Sequence, residues 1–332
     1  MTKTAVKARQ RAVRGVLVLL CALLAVRLVS LFLPADLVPA IVRDGGTLAV
    51  GVFVESFPFV VLGALVSAAV QLWVPQRVMF RLLPQRPALR RAVLSLLGVV
   101  LPVCECGNVP LARGLLRQGL SPAEALTFVL AAPILNPVTI ITTYQAFGFD
   151  NGILAARIIG GFVIANLVGW VFSRQRDESA LLQPDFAASC AHSGEEERSG
   201  WLSRGSVLFA QDLLLLMPAL ALGSVLAAVI QVGAPPQVLT GLGEHPVWSV
   251  FALILLAAAV SICSTVDAFF MLGFAAVFLP GGIVAFLVFG AMIDIKMLLL
   301  LRSTFRAKTL AAVTALVFLG ALCLGYGVNL LV

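Results

Sequence analysis

Charge is the first scarcity in this chain. Charged residues fill 12% of its 332 positions and hydrophobic residues 61%, against about 25% and roughly 45–50% in soluble domains. That composition excludes an ordinary soluble domain. Histidine is scarcer still: His192 and His245 are the only two, and no His-Glu-x-x-His occurs, so an intramembrane zinc protease lacks its ligands. No Walker A sequence occurs, which argues against ATP hydrolysis on this chain. Six cysteines contain no C-x-x-C pair and no secreted disulfide framework, which removes the usual thiol-oxidoreductase signature. The basic clusters flank apolar spans and lack interleaved aromatics, so nucleic acid is not expected as a partner. A basic N-terminal region is followed by apolar residues 16–26, but no small-residue cleavage site is evident and the run continues past Arg27 to Leu33. An uncleaved first span is expected there. Arg27 either snorkels or pairs internally, or touches a transport path.

What the chain has in abundance is apolar sequence in lengths that cross a bilayer. Residues 15–33, 48–73, 123–147, 152–172, 207–232, 283–301 and 311–332 are such stretches, and a span needs about 20 residues. The reading is an all-α polytopic integral membrane protein. Lysine and arginine cluster at 3–14, 77–91 and 302–308, as cytoplasmic segments do.

The chain also contains itself twice. Pro58, Leu62, Gly63, Gln71 and Pro75 match Pro218, Leu222, Gly223, Gln231 and Pro235 at one constant spacing. Cys104 and Asn108 then align with Cys263 and Asp267, and Pro122, Phe128 and Asn136 with Pro280, Phe286 and Asp294. Each repeat reads as a long span, a short interrupted pair, and two further spans. In repeat one the interrupted arms are 92–103 and 109–118; in repeat two they are 248–262 and 268–279. At 1.5 Å per residue each arm falls short of a hydrocarbon core of about 30 Å, so re-entrant hairpins are expected. Hairpins also put Arg113, Arg117 and residues 174–204 on the cytoplasmic side and leave only Arg43 in the outer loops. Three crossings per repeat then make the repeats inverted in topology, a recurrent transporter plan with its site near the midplane. The expected layout is a basic tail and first span at 1–46, repeat one at 47–173, a flexible cytoplasmic linker at 174–203 and repeat two at 204–332.

Chemistry gathers at the interruptions. Val103-Cys104-Glu105-Cys106-Gly107-Asn108-Val109-Pro110 sets two thiols, a carboxylate and an amide inside apolar sequence. Polar groups and irregular backbone survive at membrane depth only where protein or a water-filled cavity satisfies them. Cys104 and Cys106 are poorly spaced for a disulfide. They either pack as small hydrophobes or hold a soft ion or thiophilic compound. The second repeat keeps one thiol, Cys263, beside Ser264. Asn108 and Asp267 start the returning arms and read as helix caps, site residues, or both. Asn136 lies between Pro133 and Pro137, which should unwind that span. Ser121-Pro122-Ala123-Glu124 reads as a capping box that starts it. Asp294 is a tie between helices or a site residue; Lys296 is two positions along, on another helix face, so the two need not pair. Glu55 and Gln211-Asp212 occupy similar places early in each repeat. Cys21 and Cys323 read as packing residues, and Cys190 with His192 makes a weak metal pair.

The cysteine block, Leu130-Ala131-Ala132-Pro133-Ile134-Leu135-Asn136-Pro137, and Ser261-Ile262-Cys263-Ser264 with Asp267-Ala268-Phe269 resemble the predicted permeases of the ArsP/YraQ type over roughly residues 50–306. The resemblance implies an integral membrane permease, some of whose relatives export trivalent organoarsenicals, with substrate held by cysteines at Cys104, Cys106 and Cys263. Glu105, between the thiols, departs from the paired-cysteine pattern. The expectation is a non-enzymatic secondary transporter of the bacterial inner membrane, multi-pass with a cytoplasmic N-terminus. It would move a small soft or sulfur-bearing solute by alternating access through Cys104, Glu105, Cys106, Asn108, Asn136, Cys263, Ser264, Asp267 and Asp294. No cofactor and no resident metal are expected; the partners are the substrate and the bilayer, and a homo-oligomer is left open. Uptake of sulfur-containing solutes, a membrane-embedded thiol oxidoreductase and a non-transporting membrane subunit are the rivals.

Overall fold

A computed structural model describes residues 40–101, 103–149, 151–191, 201–233, 246–275 and 277–331. The expected span at 15–33 and His192 lie outside them. Among the described residues the chain is helical throughout and contains no β-sheet. The residues of the first expected repeat form α1 (Ala40–Trp73), α2 (Gln76–Leu82), α3 (Pro87–Val100), α4 (Glu105–Arg117), α5 (Pro122–Leu135), α6 (Pro137–Phe147) and α7 (Ile153–Phe172). A short helix α8 (Pro184–Ala191) follows. The second repeat runs α9 (Trp201–Gly233), α10 (Pro246–Val260), α11 (Asp267–Leu272), α12 (Pro280–Met292), α13 (Ile295–Leu301) and α14 (Ala307–Leu331). Apart from α2, the succession in the second repeat matches that in the first.

Five helices are long and apolar enough to cross a membrane: Arg43–Trp73, Ile153–Phe172, Gly205–Gly233, Pro280–Leu301 and Ala307–Leu331. Taken as one span, α5 and α6, bent by 41°, make a sixth. Such a chain is a polytopic membrane protein. The helices α3, α4 and α10 have 14, 13 and 15 residues, about 20–23 Å each at 1.5 Å per residue. None crosses alone. Every residue of α5 is buried, as is almost all of α12, and a helix apolar all round belongs in the centre of the molecule. These two pack on each other, and each also touches both short helices of its own repeat. Between repeats α1 meets α9, α7 meets α14, α4 meets α13 and α11 meets α6. The last two contacts exchange under the duplication, since α4 corresponds to α11 and α6 to α13. The outer faces carry exposed Leu65, Ile159, Val229, Leu255 and Leu319, the surface that lipid requires.

Local signals explain the element ends. Ser121 accepts a bond from the Glu124 amide at 3.3 Å while Glu124 accepts one from the Ser121 amide at 3.0 Å, a complete capping box with Pro122 in the first turn. The span then breaks at Asn136, which ends α5 and caps α6 by accepting from the Val138 amide at 2.9 Å. Proline 137 has no N–H to continue the first helix and is at home in the first turn of the second. The first turn of α4 seats against α1 by backbone contact. A Cβ on Gly63 would fall 2.1 Å from the Gly107 carbonyl oxygen, and one on Gly107 would fall 2.6 Å from that of Phe59. Small residues permit such an approach between membrane helices.

Three expectations change. The returning arm of repeat one starts at Glu105, with Cys104 as its N-cap, so Asn108 lies inside α4 and caps nothing. The polar segment after α7 is not bare loop. Residues Glu178–Leu181 form a 3-10 turn, and α8 follows with buried Leu181, Leu182 and Phe186. It docks on the turn after α13: the Gln183 amide donates to the Thr304 carbonyl at 2.8 Å and the Arg306 amide to that of Leu181 at 3.0 Å. Three apolar side chains among the charges suffice for docking once a groove exists. Cys323, expected as a packing residue, is exposed on α14.

Candidate functional site

The two interruptions come together. Both break the helical ladder inside apolar sequence, and side chains of one bond to side chains of the other. Across the gap the Ser264 hydroxyl donates to Glu105 Oε2 at 3.1 Å, and the Cys263 thiol lies 3.8 Å from the same oxygen. Thr265 Oγ1 lies 3.3 Å from Cys263 Sγ. The Cys104 thiol is within reach of those of Cys106 and Cys263. Cys104, Glu105, Cys106, Cys263 and Ser264 are all buried. The backbone approaching the second tip is bent into an unusual form. Ser261 has φ 49°, the one positive φ on a non-glycine among the described residues, a conformation that costs about 1–2 kcal/mol and is concentrated at functional sites.

Asp267 opens α11 but makes no cap; it pairs with Arg157 of α7. The guanidinium donates to its two oxygens at 2.6 and 3.0 Å, to Thr143 Oγ1 at 2.7 Å and to the Ser264 carbonyl at 3.4 Å. Arg157 thus connects α6, α7 and the second tip. Asp294 and Lys296 do pair, 3.5 Å apart and both 1% exposed. The helix-face reasoning fails because Asp294 is the extended N-cap of α13, accepting from the Met297 amide, and is not in the helix. Lys296 lies within Coulombic range of Glu105, Cys106 and Cys263. Asn136 joins the tip through backbone, donating to the Val103 carbonyl at 3.3 Å. Asn108 is fully buried and neither its amide oxygen nor its nitrogen has a hydrogen-bond partner. Unsatisfied buried polar atoms are rare and call for an explanation.

Two further groups of buried charges join the helices. Arg113 and Arg117, counted above as cytoplasmic charges of the arm 109–118, sit on α4 and share Asp212 of α9. Arg113 Nε donates to it at 3.1 Å, and Arg117 is bidentate at 2.9 and 3.0 Å. Arg113 also reaches Thr304 Oγ1 at 2.9 Å and lies over the Phe186 ring, 4.5 Å from its centroid. Glu55 is exposed on α1, so its apparent likeness to Asp212 ends at sequence position. Arg157 was overlooked altogether. The signal was present, since a lone arginine in an apolar span is costly unless paired.

Buried polar residues at the meeting of two broken segments, among membrane-length helices, define a polytopic membrane protein with an internal polar cluster. The chain belongs to the ArsP_1 family of predicted permeases, whose model matches residues 44–330. It is 32% identical over 263 residues to the UPF0718 protein YcgR of Bacillus subtilis, covering 78% of this chain and 88% of the relative. It is 28% identical over 260 residues to a candidate subunit of a two-component membrane permease complex from Streptococcus mutans, covering 77% and 85%. A shorter match, 29% over 134 residues, reaches the UPF0718 protein YraQ of Escherichia coli, with 40% of this chain and 37% of the relative covered. No solved structure matches this chain.

Proposed function

We propose that this protein is a secondary permease that moves a small soft or thiol-reactive solute by alternating access. The site comprises Cys104, Glu105, Cys106, Asn108, Asn136, Cys263, Ser264, Asp267 and Asp294. The observation that carries this reading is the contact of Glu105 with Ser264 and Cys263 across the two repeats. A solute bound there touches both halves, so its departure toward either side requires them to separate. The short helices α3, α4, α10 and α11 are then re-entrant hairpins, the repeats are inverted, and the N-terminus is cytoplasmic in a bacterial inner membrane. Two buried ion pairs flank the site and act as its closures. Arg113 and Arg117 with Asp212 hold α4 to α9 on one side; Arg157 with Asp267 holds α7 to α11 on the other. Organoarsenical efflux and uptake of sulfur-containing solutes are the two directions such a site allows. The two-component description of the Streptococcus mutans relative favours a partner subunit here too, which would co-purify from the native membrane.

The test is flux in liposomes of a trivalent methylarsenical, thiosulfate and a soft metal ion. Saturable flux of at least one is expected, and Glu105→Gln or Cys263→Ser should reduce it at least tenfold. Absence of flux for all three, together with thiol–disulfide cycling at Cys104 or Cys106, contradicts the permease and points to an oxidoreductase.

A further inference from the structure

Two thiols and a carboxylate meet in the site, and they are not the pair adjacent in sequence. Cys104 Sγ, a Glu105 carboxylate oxygen and Cys263 Sγ all lie within 4.8 Å of one another, and all three residues are buried. Cys106 reaches Cys104 but does not lie within 4.8 Å of all three atoms. Thiolate sulfur binds soft or borderline metals at about 2.3 Å and carboxylate oxygen at about 2.0–2.2 Å. Two such bonds at a trigonal or tetrahedral angle hold their ligand atoms roughly 3.5–4 Å apart. The three atoms are therefore within about an ångström of coordinating separations.

We propose that the cargo of this site is a soft-to-borderline d10 metal cation, held by Cys104, Glu105 and Cys263, with Cys106 not a ligand. This rests on the permease reading for the word cargo; the coordination itself does not. Ligand type supports the class, since thiolates select soft cations over magnesium or calcium. Charge supports it as well. Binding a divalent ion releases the two thiol protons and leaves one negative charge in excess, with the Lys296 ammonium in Coulombic range of Glu105 and Cys263. Ser264, donating to Glu105 at 3.1 Å, orients the carboxylate as outer-sphere partners of metal sites do. Asn108 stands one turn beyond Cys104 on the same helix, buried with both polar atoms unpartnered. Because Cys104 and Cys263 belong to different repeats, a bound ion ties the tips together, and its release frees them.

The test uses the purified full chain with Cys21, Cys190 and Cys323 replaced by alanine, titrated with cadmium(II). The readout is the ultraviolet thiolate-to-cadmium charge-transfer band, with X-ray absorption for the ligand count. Expected are one cadmium per chain and two sulfurs per cadmium. Cys106→Ser should keep two sulfurs per cadmium and the full band. Cys104→Ser or Cys263→Ser should halve the band and weaken binding at least tenfold, and Glu105→Gln should keep the band while weakening binding at least tenfold. Should a variant not fold, the parent protein still decides: bound cadmium should protect Cys104 and Cys263 from alkylation and leave Cys106 at its metal-free rate. Loss of the band with Cys106→Ser, or protection of Cys106 in place of Cys263, overturns the assignment. No cadmium binding alongside flux of another solute overturns it and leaves the permease standing. Binding at these three residues without flux of any solute upholds the coordination and removes the permease reading.

Discussion

Replacing Asp267 with asparagine is expected to lower stability by about 3–5 kcal/mol, the usual cost of stranding one member of a buried ion pair. Arg157 and Asp267 are 1% and 3% exposed in their side chains. Without the carboxylate the guanidinium keeps only Thr143 and the Ser264 carbonyl. The measurement is the thermal midpoint in detergent alongside flux in liposomes. Pairing Asp267→Leu with Arg157→Met should recover most of the loss, because apolar replacement of both partners is often neutral or stabilising. Transport should stay abolished in that double variant if the pair closes the site. Recovery of both stability and flux would mean that it only ties helices together.

The second large effect concerns Asp212, which balances two arginines at once. Asp212→Asn leaves Arg113 and Arg117 buried side by side with no countercharge, and the loss should equal or exceed that of Asp267→Asn. Arg117→Met should be much milder. It leaves a one-to-one pair between Arg113 and Asp212, with Thr304 and the Phe186 ring still in place, and Arg117 is the more exposed of the two arginines, at 10%. The ranking is the test, read as shifts in thermal midpoint for the three proteins. An Arg117→Met variant as unstable as Asp212→Asn would show that the arginines do not share one carboxylate as described.

Much of the architecture was legible because the membrane makes polar residues conspicuous. Pro133, Asn136 and Pro137 announce the break between α5 and α6, and Ser121 with Glu124 marks where α5 begins. The cysteine blocks could be set opposite each other because Pro58 and Pro218, Gly63 and Gly223 fix the spacing of the duplication. Pairings over long sequence distances were not legible. Arg157 and Asp267 are 110 residues apart, and Arg113 and Asp212 are 99 apart; no local pattern links them. Asp294 and Lys296 failed for the opposite reason, since a helical face was assumed where the chain is an extended cap. The docking of residues 178–191 was hidden by composition, because charge dominates the segment while only Leu181, Leu182 and Phe186 do the packing.

The central claim is that the two interruptions face one another around a shared site, and the thiols at their tips report on it directly. In a protein that keeps only Cys104 and Cys263, mild oxidation should form an intramolecular disulfide between the repeats, located by mass spectrometry. Liposome flux should stop as the bond forms and return on reduction. Failure of the two thiols to cross-link, or a cross-link that leaves flux unchanged, would contradict the account.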